Sequence, residues 1–500
     1  MNDFYDELTY ETNPFPETHP NNLAVLGRLF GLASADPAHC RVLELGSATG
    51  GNLIPMAWQC PGSEFVGVEL SAAQVAIGQQ VVDAAGLRNI SLQVGNILEL
   101  EADRLGRFDY IIVHGVYSWV PPAVRDKILQ LTRDCLNPQG LAYISYNVLP
   151  GWRMRGSLRD VLLYATRDAS GASEKLQAAR AALLRLQAAM QGSMQHSGNY
   201  VLNEIGYLLE AHPSYLLHEY LAAYNQPFLF SEFLHDVGAA GLQYVCETDL
   251  HTLFDSALPA PAQTALAEMT DPLEQEQWMD FVRMRTFRQS VLCRADTALE
   301  REIDVDVFGQ MAFTANLRVQ GDADLGSTEP CQFLRTDGVS LTVSHPLTKA
   351  ALLHLHITPP QPLGFAEVYD AAAAQVRAVG ADALANEANA LLYELFNLYS
   401  YRAVLAHIHA SGSVPDSNPA YPEASRLARV QAAVGWHGIA TALHLKLDVD
   451  DFARRLLVLL DGSRTVGEVV GQLASGQNHE VVAENVQRLL AVFRRHGVVG

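Results

Sequence analysis

From about residue 23 the chain alternates between short apolar runs and longer amphipathic stretches. "LAVLGRLFGL" carries apolar positions at helical spacing, "RVLELG" is an apolar run of strand length, and "GNLIPMAWQC" returns to a helix. The alternation continues through strand "EFVGVEL", helix "SAAQVAIGQQVVDAAG", strands "SLQVGN" and "FDYIIVHG", helix "PPAVRDKILQLTRDCL" and strand "GLAYISYN". Short apolar strands separated by helices predict an α/β, Rossmann-like fold: a parallel sheet with helices on both faces. Pro121 and Pro122 open their helix where a missing N–H costs nothing, and "NPQG" predicts a turn that closes it.

The pattern then changes. Residues about 152–226 show no strand signal, and "SEKLQAARAALLRLQAAMQ" is rich in helix formers, so this stretch reads as a helical insertion. "SEFLHDVGAAGLQYVCETDL" returns to helix, Gly and strand, and "RTFRQSVLCR" (285–294) reads as a further strand, so the sheet is expected to resume and the first domain to span 1–296. A middle α+β domain is expected over 297–410, with "GFAEVYDAAAAQVRAVG" and "ADALANEANALLYELFNLYS" as helices after a mixed strand region. "SGSVPDSNPAYPEAS" reads as a surface linker. Residues 426–500 are expected to form a small, mainly helical domain with a hairpin, of winged-helix type.

Composition narrows the function classes. A chain of 500 residues is too long for one core, and 49% hydrophobic with 18% charged residues is a globular balance. The formal net charge of −21 argues against nucleic acid or an anionic membrane as partner. An acidic surface suits basic substrates, although solubility alone also accounts for it. The six cysteines are scattered without a Cys-x-x-Cys pair, which suits a reducing cytoplasm. The N-terminal segment is polar and acidic, unlike a secretory signal, and no apolar run is long enough to span a bilayer.

The chemistry gathers at "RVLELGSATGGN". Gly46, Ala48, Gly50 and Gly51 leave the backbone between strand and helix open to a ligand, and a helix N-terminus offers free N–H groups. Glu69 follows at the end of the next strand, where a carboxylate accepts both hydroxyl protons of a ribose. Together they describe a nucleoside-bearing cofactor at the carboxyl ends of parallel strands. The spacing fits both S-adenosylmethionine and a dinucleotide. Two features favour S-adenosylmethionine. Glu44, one position before the turn, can organise an ammonium but would repel a pyrophosphate, and Asn96 stands at the mouth of the third strand, where an amide meets an adenine amino group.

"VLELGSATGGN", "FDYIIVHGVYSWVP", "YISYNVLPGW" and "RTFRQSVLC" resemble class I methyltransferases that carry a methyltransferase regulatory domain. This group includes bacterial protein-lysine methyltransferases acting on outer-membrane proteins. "YETNPFPETHP" is similar to the group's lead-in segment, and "LHEYLAAYNQPFLFSEFLHDVGAAGLQYVCE" (217–247) to the start of its regulatory region, taken here as about 217–296. The resemblance covers about 1–300 with specific motifs, and "LDGSRTVGEVV" more loosely. It implies S-adenosylmethionine as cofactor, with Gly46, Ser47, Ala48 and Gly50 on its methionine part, Glu69 on the ribose and Asn96 beside the adenine. Glu44, Asn52, Leu70, Ile97 and His114 complete the expected cofactor set. It also implies dimerisation and auxiliary domains around a wide cavity.

Methyl transfer from a sulfonium is an in-line displacement, so the protein's work is alignment and exclusion of water. Candidates stand where the fourth and fifth strands end: His114, Tyr117, Ser118, Trp119, Tyr146 and Asn147. His114–Trp119 is expected to rim the methyl, with Tyr117 and Trp119 as aromatic walls and Tyr146 or His114 orienting the acceptor or taking its proton. Each aromatic has packing as its plain alternative. Further features carry less. His354 and His356, expected on one strand face, and His407 and His409 lack a third ligand, so no metal site is predicted. Arg283, Arg285 and Arg288 read as a solvated strand face paired with acids rather than a docking patch, and Asp461-Gly462 as a turn. Three functions stay open: a methyltransferase acting on lysine of a protein or peptide, one acting on a small-molecule metabolite, and a cofactor-binding interaction protein without turnover.

Overall fold

The computed structural model describes residues 13–191, 196–315, 317–335, 338–357, 360–410, 418–475 and 478–500. Seven strands form the central sheet: β1 (Arg41–Leu45), β2 (Glu64–Glu69), β3 (Ile90–Val94), β4 (Phe108–Val113), β5 (Leu136–Asn147), β6 (Leu242–Glu247) and β7 (Phe287–Arg294). Their order is β3-β2-β1-β4-β5-β7-β6. β1 to β5 pair in parallel, whereas β7 runs antiparallel to both β5 and β6. The expected all-parallel sheet is therefore mixed at one edge. Helix Phe230–Ala239 carries the chain to the outer position of β6, and β7 fills the gap in reverse.

Helices cover both faces because the strands are buried on both. Val42, Tyr110 and Tyr143 join a core with helices Pro20–Leu29 and Leu53–Gln59, and Leu43, Ile111 and Ile144 join another with helices Pro122–Cys135 and Phe230–Ala239. "NPQG" is not the expected turn. β5 already begins at Leu136, and Phe108 faces Leu136 while Tyr110 faces Leu141, so the extra residues form a bulge. The Asn137 amide donates to Asp109 at 2.6 Å, and a Cβ at Gly140 would stand 2.9 Å from the Asp109 carbonyl, so this close approach needs glycine.

The stretch after β5 is helical, with Trp152–Ala165, Gly171–Met190 and His196–Glu210, and has its own small core around Leu162, Leu183 and Leu208. The middle region contains two three-stranded sheets. There "HLHIT" belongs to helix Pro346–Ile357, not to a strand: Leu347, Ala350, Ala351 and Leu355 recur at helical spacing and are buried. Two positions apart on a helix, His354 and His356 do not share a face. Of the proposed linker, residues 411–417 lie outside the described residues, while Glu423 and Ala424 pair with Asp461 and Val499. The C-terminal domain is a winged helix, with hairpin Gly438–Ala440/Lys446–Asp448 and helices Arg426–Ala433, Asp451–Leu459, Val466–Leu473 and His479–Arg495. Asp461 makes its expected turn, accepting from the Ser463 N–H at 3.0 Å before left-handed Gly462.

The arginines of "RMRTFRQ" are not a solvated face. Arg288 is 1% exposed and reaches Glu247, Glu276 and Asp280 at 3.0, 3.0 and 2.8 Å, while Arg285 reaches Glu247 at 2.9 Å. Arg283 ends its helix and donates to the carbonyls of Thr252 and Phe254. The pairing with acids holds, but it is buried under β6 and β7.

Candidate active site

β1 lies between β2 and β4, where the chain's direction of winding reverses, the place at which an open α/β sheet offers a ligand crevice at its carboxyl edge. The loop after β1 takes a shape few residues adopt: φ is +80° at Gly46, +47° at Ala48 and +75° at Gly50. The N–H groups of Gly46 and Ser47 both donate to the Val68 carbonyl, which ties the loop to the end of β2. There the Glu69 carboxylate accepts from Ala48 N–H and Ser71 N–H, both at 3.0 Å. These bonds hold Glu69 against the loop with its remaining lone pairs free for a diol.

Glu44 is 3% exposed, takes one bond from the Asn52 amide at 2.8 Å, and leaves its second oxygen buried without a partner. Burial pushes its carboxyl up to about 8, and the Glu69 charge adds to this against the Asn52 hydrogen bond. A buried, half-satisfied acid at the mouth of a glycine loop fits the ammonium of a methionine tail. Ammonium binding favours the carboxylate, so binding of S-adenosylhomocysteine at pH 7 is expected to release close to one proton. Calorimetry in buffers of different ionisation enthalpy measures it, and Glu44→Gln removes it. Because the folded-state pKa is raised, Glu44 favours the free protein at low pH and this contribution is lost as pH rises through about 8. Ligand affinity accordingly strengthens as pH rises towards 8.

Asn52 is also the meeting point of segments distant in sequence. Its Oδ1 accepts from Phe15 N–H at 3.0 Å and from His444 Nε2 at 3.0 Å, and its Nδ2 also donates to Thr18. The segment Phe15–Thr18 thus lies over the loop. Phe15 stacks on His114 with ring centroids 3.9 Å apart, and His114 Nδ1 meets the Tyr143 hydroxyl at 2.8 Å. Burial lowers the His114 pKa although the Glu17 charge opposes it. Gly115 N–H donates to Ser145 at 2.8 Å, anchoring the loop after β4 on β5. Burial raises the Glu17 pKa, but Arg402 and His114 outweigh it, so Glu17 stays below the usual carboxylate range, with Gln289 donating to it at 2.7 Å.

The candidates at the strand ends divide. His114 comes to the crevice. Tyr117 and Tyr146 do not rim it: each is 1% exposed, in an aromatic cluster with Phe228 and Phe233 on the opposite side of the sheet. Side chains alternate along β5, so Tyr143, Ser145 and Asn147 share the side that Tyr146 does not. The Tyr146 hydroxyl meets Ser290 at 3.2 Å, which leads into the buried Arg288 network. Trp119 stands edge-on to Trp152, 6.0 Å between centroids, where the helical stretch begins. Ser118 accepts from Asn147 N–H at 2.8 Å, and the Asn147 amide nitrogen is buried without a partner. Beyond the carboxyl end of β3, Asn96 caps its own turn by accepting from Leu98 N–H and donates to Glu99. Leu70, 50% exposed, and Ile97 follow the adjacent strands β2 and β3. The paired histidines go to different partners, His407 to Thr314 and His409 to Asp36, and among the described residues no group of three or more His, Cys, Asp or Glu side chains could hold a metal.

Three family models match the chain: a methyltransferase domain over residues 42–140, a predicted methyltransferase regulatory domain over 212–294, and the PKMT C-terminal winged helix domain over 420–485. The uncharacterized protein RP789 of Rickettsia prowazekii is 31% identical over 484 residues, covering 95% of this chain and 86% of that one. PKMT2 of Rickettsia typhi superposes with a TM-score of 0.83 at 27% identity, over 98% of this chain and 100% of that one. Its complex with AdoHcy gives 0.84 at 26% identity, over 98% and 99%. The chain belongs to the class I methyltransferases that carry a regulatory domain. It is an S-adenosylmethionine-dependent enzyme.

In this methyltransferase a cavity of about 600 Å³ runs between the sheet domain, the middle region and the winged helix, and its lining residue His444 reaches Asn52 at the end of the loop after β1. Glu17, His19, Tyr399, Arg402, His407 and His444 line it. Sequence reasoning missed most of this set. Phe15, Thr18, Glu17, Tyr143, Gln289, Arg402 and His444 come from five separate stretches, and only the lead-in "NPFPETHP" carried a signal, through the family resemblance.

Proposed function

We propose that this methyltransferase modifies lysine side chains of a protein substrate. The observation that carries the reading is the likeness of the whole chain, winged helix included, to PKMT2 of Rickettsia typhi. When bound, S-adenosylmethionine supplies an activated methyl whose leaving group needs no acid. The chain's residues do the rest by position. Glu44 and the Gly46–Gly50 loop hold the methionine part, Glu69 the ribose, and Asn96 with Leu70 and Ile97 the adenine. His114, propped by Phe15 and Tyr143, stands at the reacting end, where a nucleophile must approach in line at about 3 Å.

Electrostatics of the cavity favour an amine acceptor. Burial brings His19 down to about 4 and His407 to about 3, so both are neutral near pH 7. Glu17 stays charged beside them. A lysine arriving here meets neutral histidines and a Glu17 already paired with Arg402, and the desolvated walls favour loss of its proton, which in water leaves only near pH ~10.4. The acidic chain, at −21, suits a polypeptide substrate rather than nucleic acid. Homodimerisation and a reducing compartment belong to the same reading, the latter supported by six unpaired buried cysteines.

The test is mass spectrometry of outer-membrane and cytoplasmic fractions incubated with the enzyme and isotopically labelled S-adenosylmethionine, scoring peptides and metabolites together. Labelled methyl-lysine is expected in tryptic peptides and is lost when the acceptor lysine is changed to arginine. Label confined to small molecules would overturn the assignment.

A further inference from the structure

The winged-helix domain reaches Asn52, beside Glu44, through the side chain of His444. His444 lies in the hairpin tip between strands Gly438–Ala440 and Lys446–Asp448, with φ +55°, a left-handed conformation that disfavours residues other than glycine. His444 is 2% exposed. The tip is closed on itself, Thr441 N–H donating to the Leu445 carbonyl and His444 N–H to the Thr441 carbonyl. It is also held on the sheet domain by Gln59, whose amide donates to the Thr441 carbonyl at 2.9 Å, while Arg426 in the domain's first helix donates to the Ala84 carbonyl at 2.9 Å. A histidine kept in an unfavourable backbone conformation, buried at a domain junction, implies that its ring contact repays the strain.

That contact joins those of Phe15 and Thr18 in holding Asn52. Phe15 N–H is a donor beyond ambiguity, so the Asn52 atom it meets is the carbonyl oxygen, and the Asn52 nitrogen faces Glu44. His444 Nε2, 3.0 Å from that oxygen, therefore carries the proton and donates. We infer that His444 is a positioning residue through which the winged-helix domain holds the Asn52–Glu44 pair in the orientation that receives the cofactor's ammonium. Asn52 is free for this because its side chain makes no capping bond to the helix it precedes. Glu44 in turn keeps its unpartnered oxygen for the ligand. Cofactor binding and docking of the C-terminal domain are then linked, and linkage is reciprocal. The inference concerns the cofactor alone and does not depend on which acceptor the enzyme uses.

The experiment is calorimetry of the full chain with S-adenosylhomocysteine, without acceptor, on three variants. His444→Leu is expected to bind roughly tenfold more weakly, the scale of one lost buried hydrogen bond. His444→Gln, which returns an N–H near the Nε2 position, is expected to restore affinity to within about twofold. His444→Gly accepts the left-handed backbone but offers no donor, so it is expected to keep the fold and still bind weakly. If His444→Leu fails to fold, His444→Gly decides. Two further readouts separate positioning from general stability. Without the His444 bond, Asn52 supports the Glu44 carboxylate less well, so the pH midpoint of ligand binding should move upward. The charge facing Glu44 is Glu69, and the ring facing His444 is His19, whose centroid is 5.0 Å away; neither is altered by the substitutions. In the parent, ligand should slow hydrogen exchange of the amides of residues 441–446, and this protection should vanish in His444→Leu. Affinity within about twofold of the parent in His444→Gly, or unchanged exchange on ligand binding in the parent, would overturn the inference.

Discussion

Arg288→Ala is expected to lower the unfolding free energy by about 3–5 kcal/mol, the cost of leaving buried carboxylates unpaired. Urea unfolding followed by circular dichroism measures it. Arg288 is the hub of a network in which Glu247 and Asp280 are fully buried and Glu276 nearly so. Burial raises the Glu247 carboxyl, but Arg285 and Arg288 outweigh it and keep Glu247 below the usual range. At Glu276 and Asp280 burial prevails over Arg288, and both are raised. This gives the result a pH signature. An acid raised in the folded state contributes stability at low pH and loses it as pH rises through its folded value. With Arg288 gone Glu276 and Asp280 are raised further while Glu247 keeps Arg285, so the deficit of Arg288→Ala should shrink between pH 8 and pH 5. A loss below about 1 kcal/mol at pH 8 would mean that β7 and helix Pro272–Arg283 hold together without the network. The effect reaches function because β7 pairs with β5 over six residues, from Ala142 to Asn147, on the strand that carries Tyr143 and Ser145.

The second large effect is on the cofactor. Glu69→Ala is expected to weaken S-adenosylhomocysteine binding roughly 100-fold, the scale of two charge-assisted hydrogen bonds to a diol. Part of the loss comes from the protein itself. Ala48 N–H and Ser71 N–H lose the acceptor that holds the loop, and Ala48 already has φ +47°. Glu69→Gln keeps an acceptor oxygen without the charge and should lie between the two. Calorimetry measures both, and a change under about threefold in Glu69→Ala would show that the ribose is held elsewhere.

Much of the catalytic domain was legible along the chain because the interactions that define it are local. A strand, a glycine turn and a helix N-terminus occupy "RVLELGSATGGN" without interruption, and Glu69 follows one crossover later. Glu44, Gly46, Ala48 and Gly50 could therefore be placed together at one strand end and its loop, and the small C-terminal domain recognised by its helix–hairpin spacing. Misreadings arose where a local pattern had two solutions. "NPQG" suits a turn or a bulge, and the partner strand chose the bulge through the contact between Asp109 and Gly140. "HLHIT" suits a strand or the end of an apolar helix, and packing chose the helix. "RTFRQ" suits a wet face or a buried one, and three acids from β6 and helix Pro272–Arg283 chose the buried one.

The sequence by itself determined the sheet's alternation of strand and helix and the tight glycine loop after β1, because each depends on residues within one turn or one crossover of one another. Only the tertiary structure decided the surroundings of the reacting end. It buried Tyr117 and Tyr146, raised the Glu44 pKa, and brought Phe15, Gln289, Arg402 and His444 to one place across more than 400 positions of chain. Desolvation and hydrogen-bond partnership depend on what folds over a residue, and no periodicity along the chain encodes that.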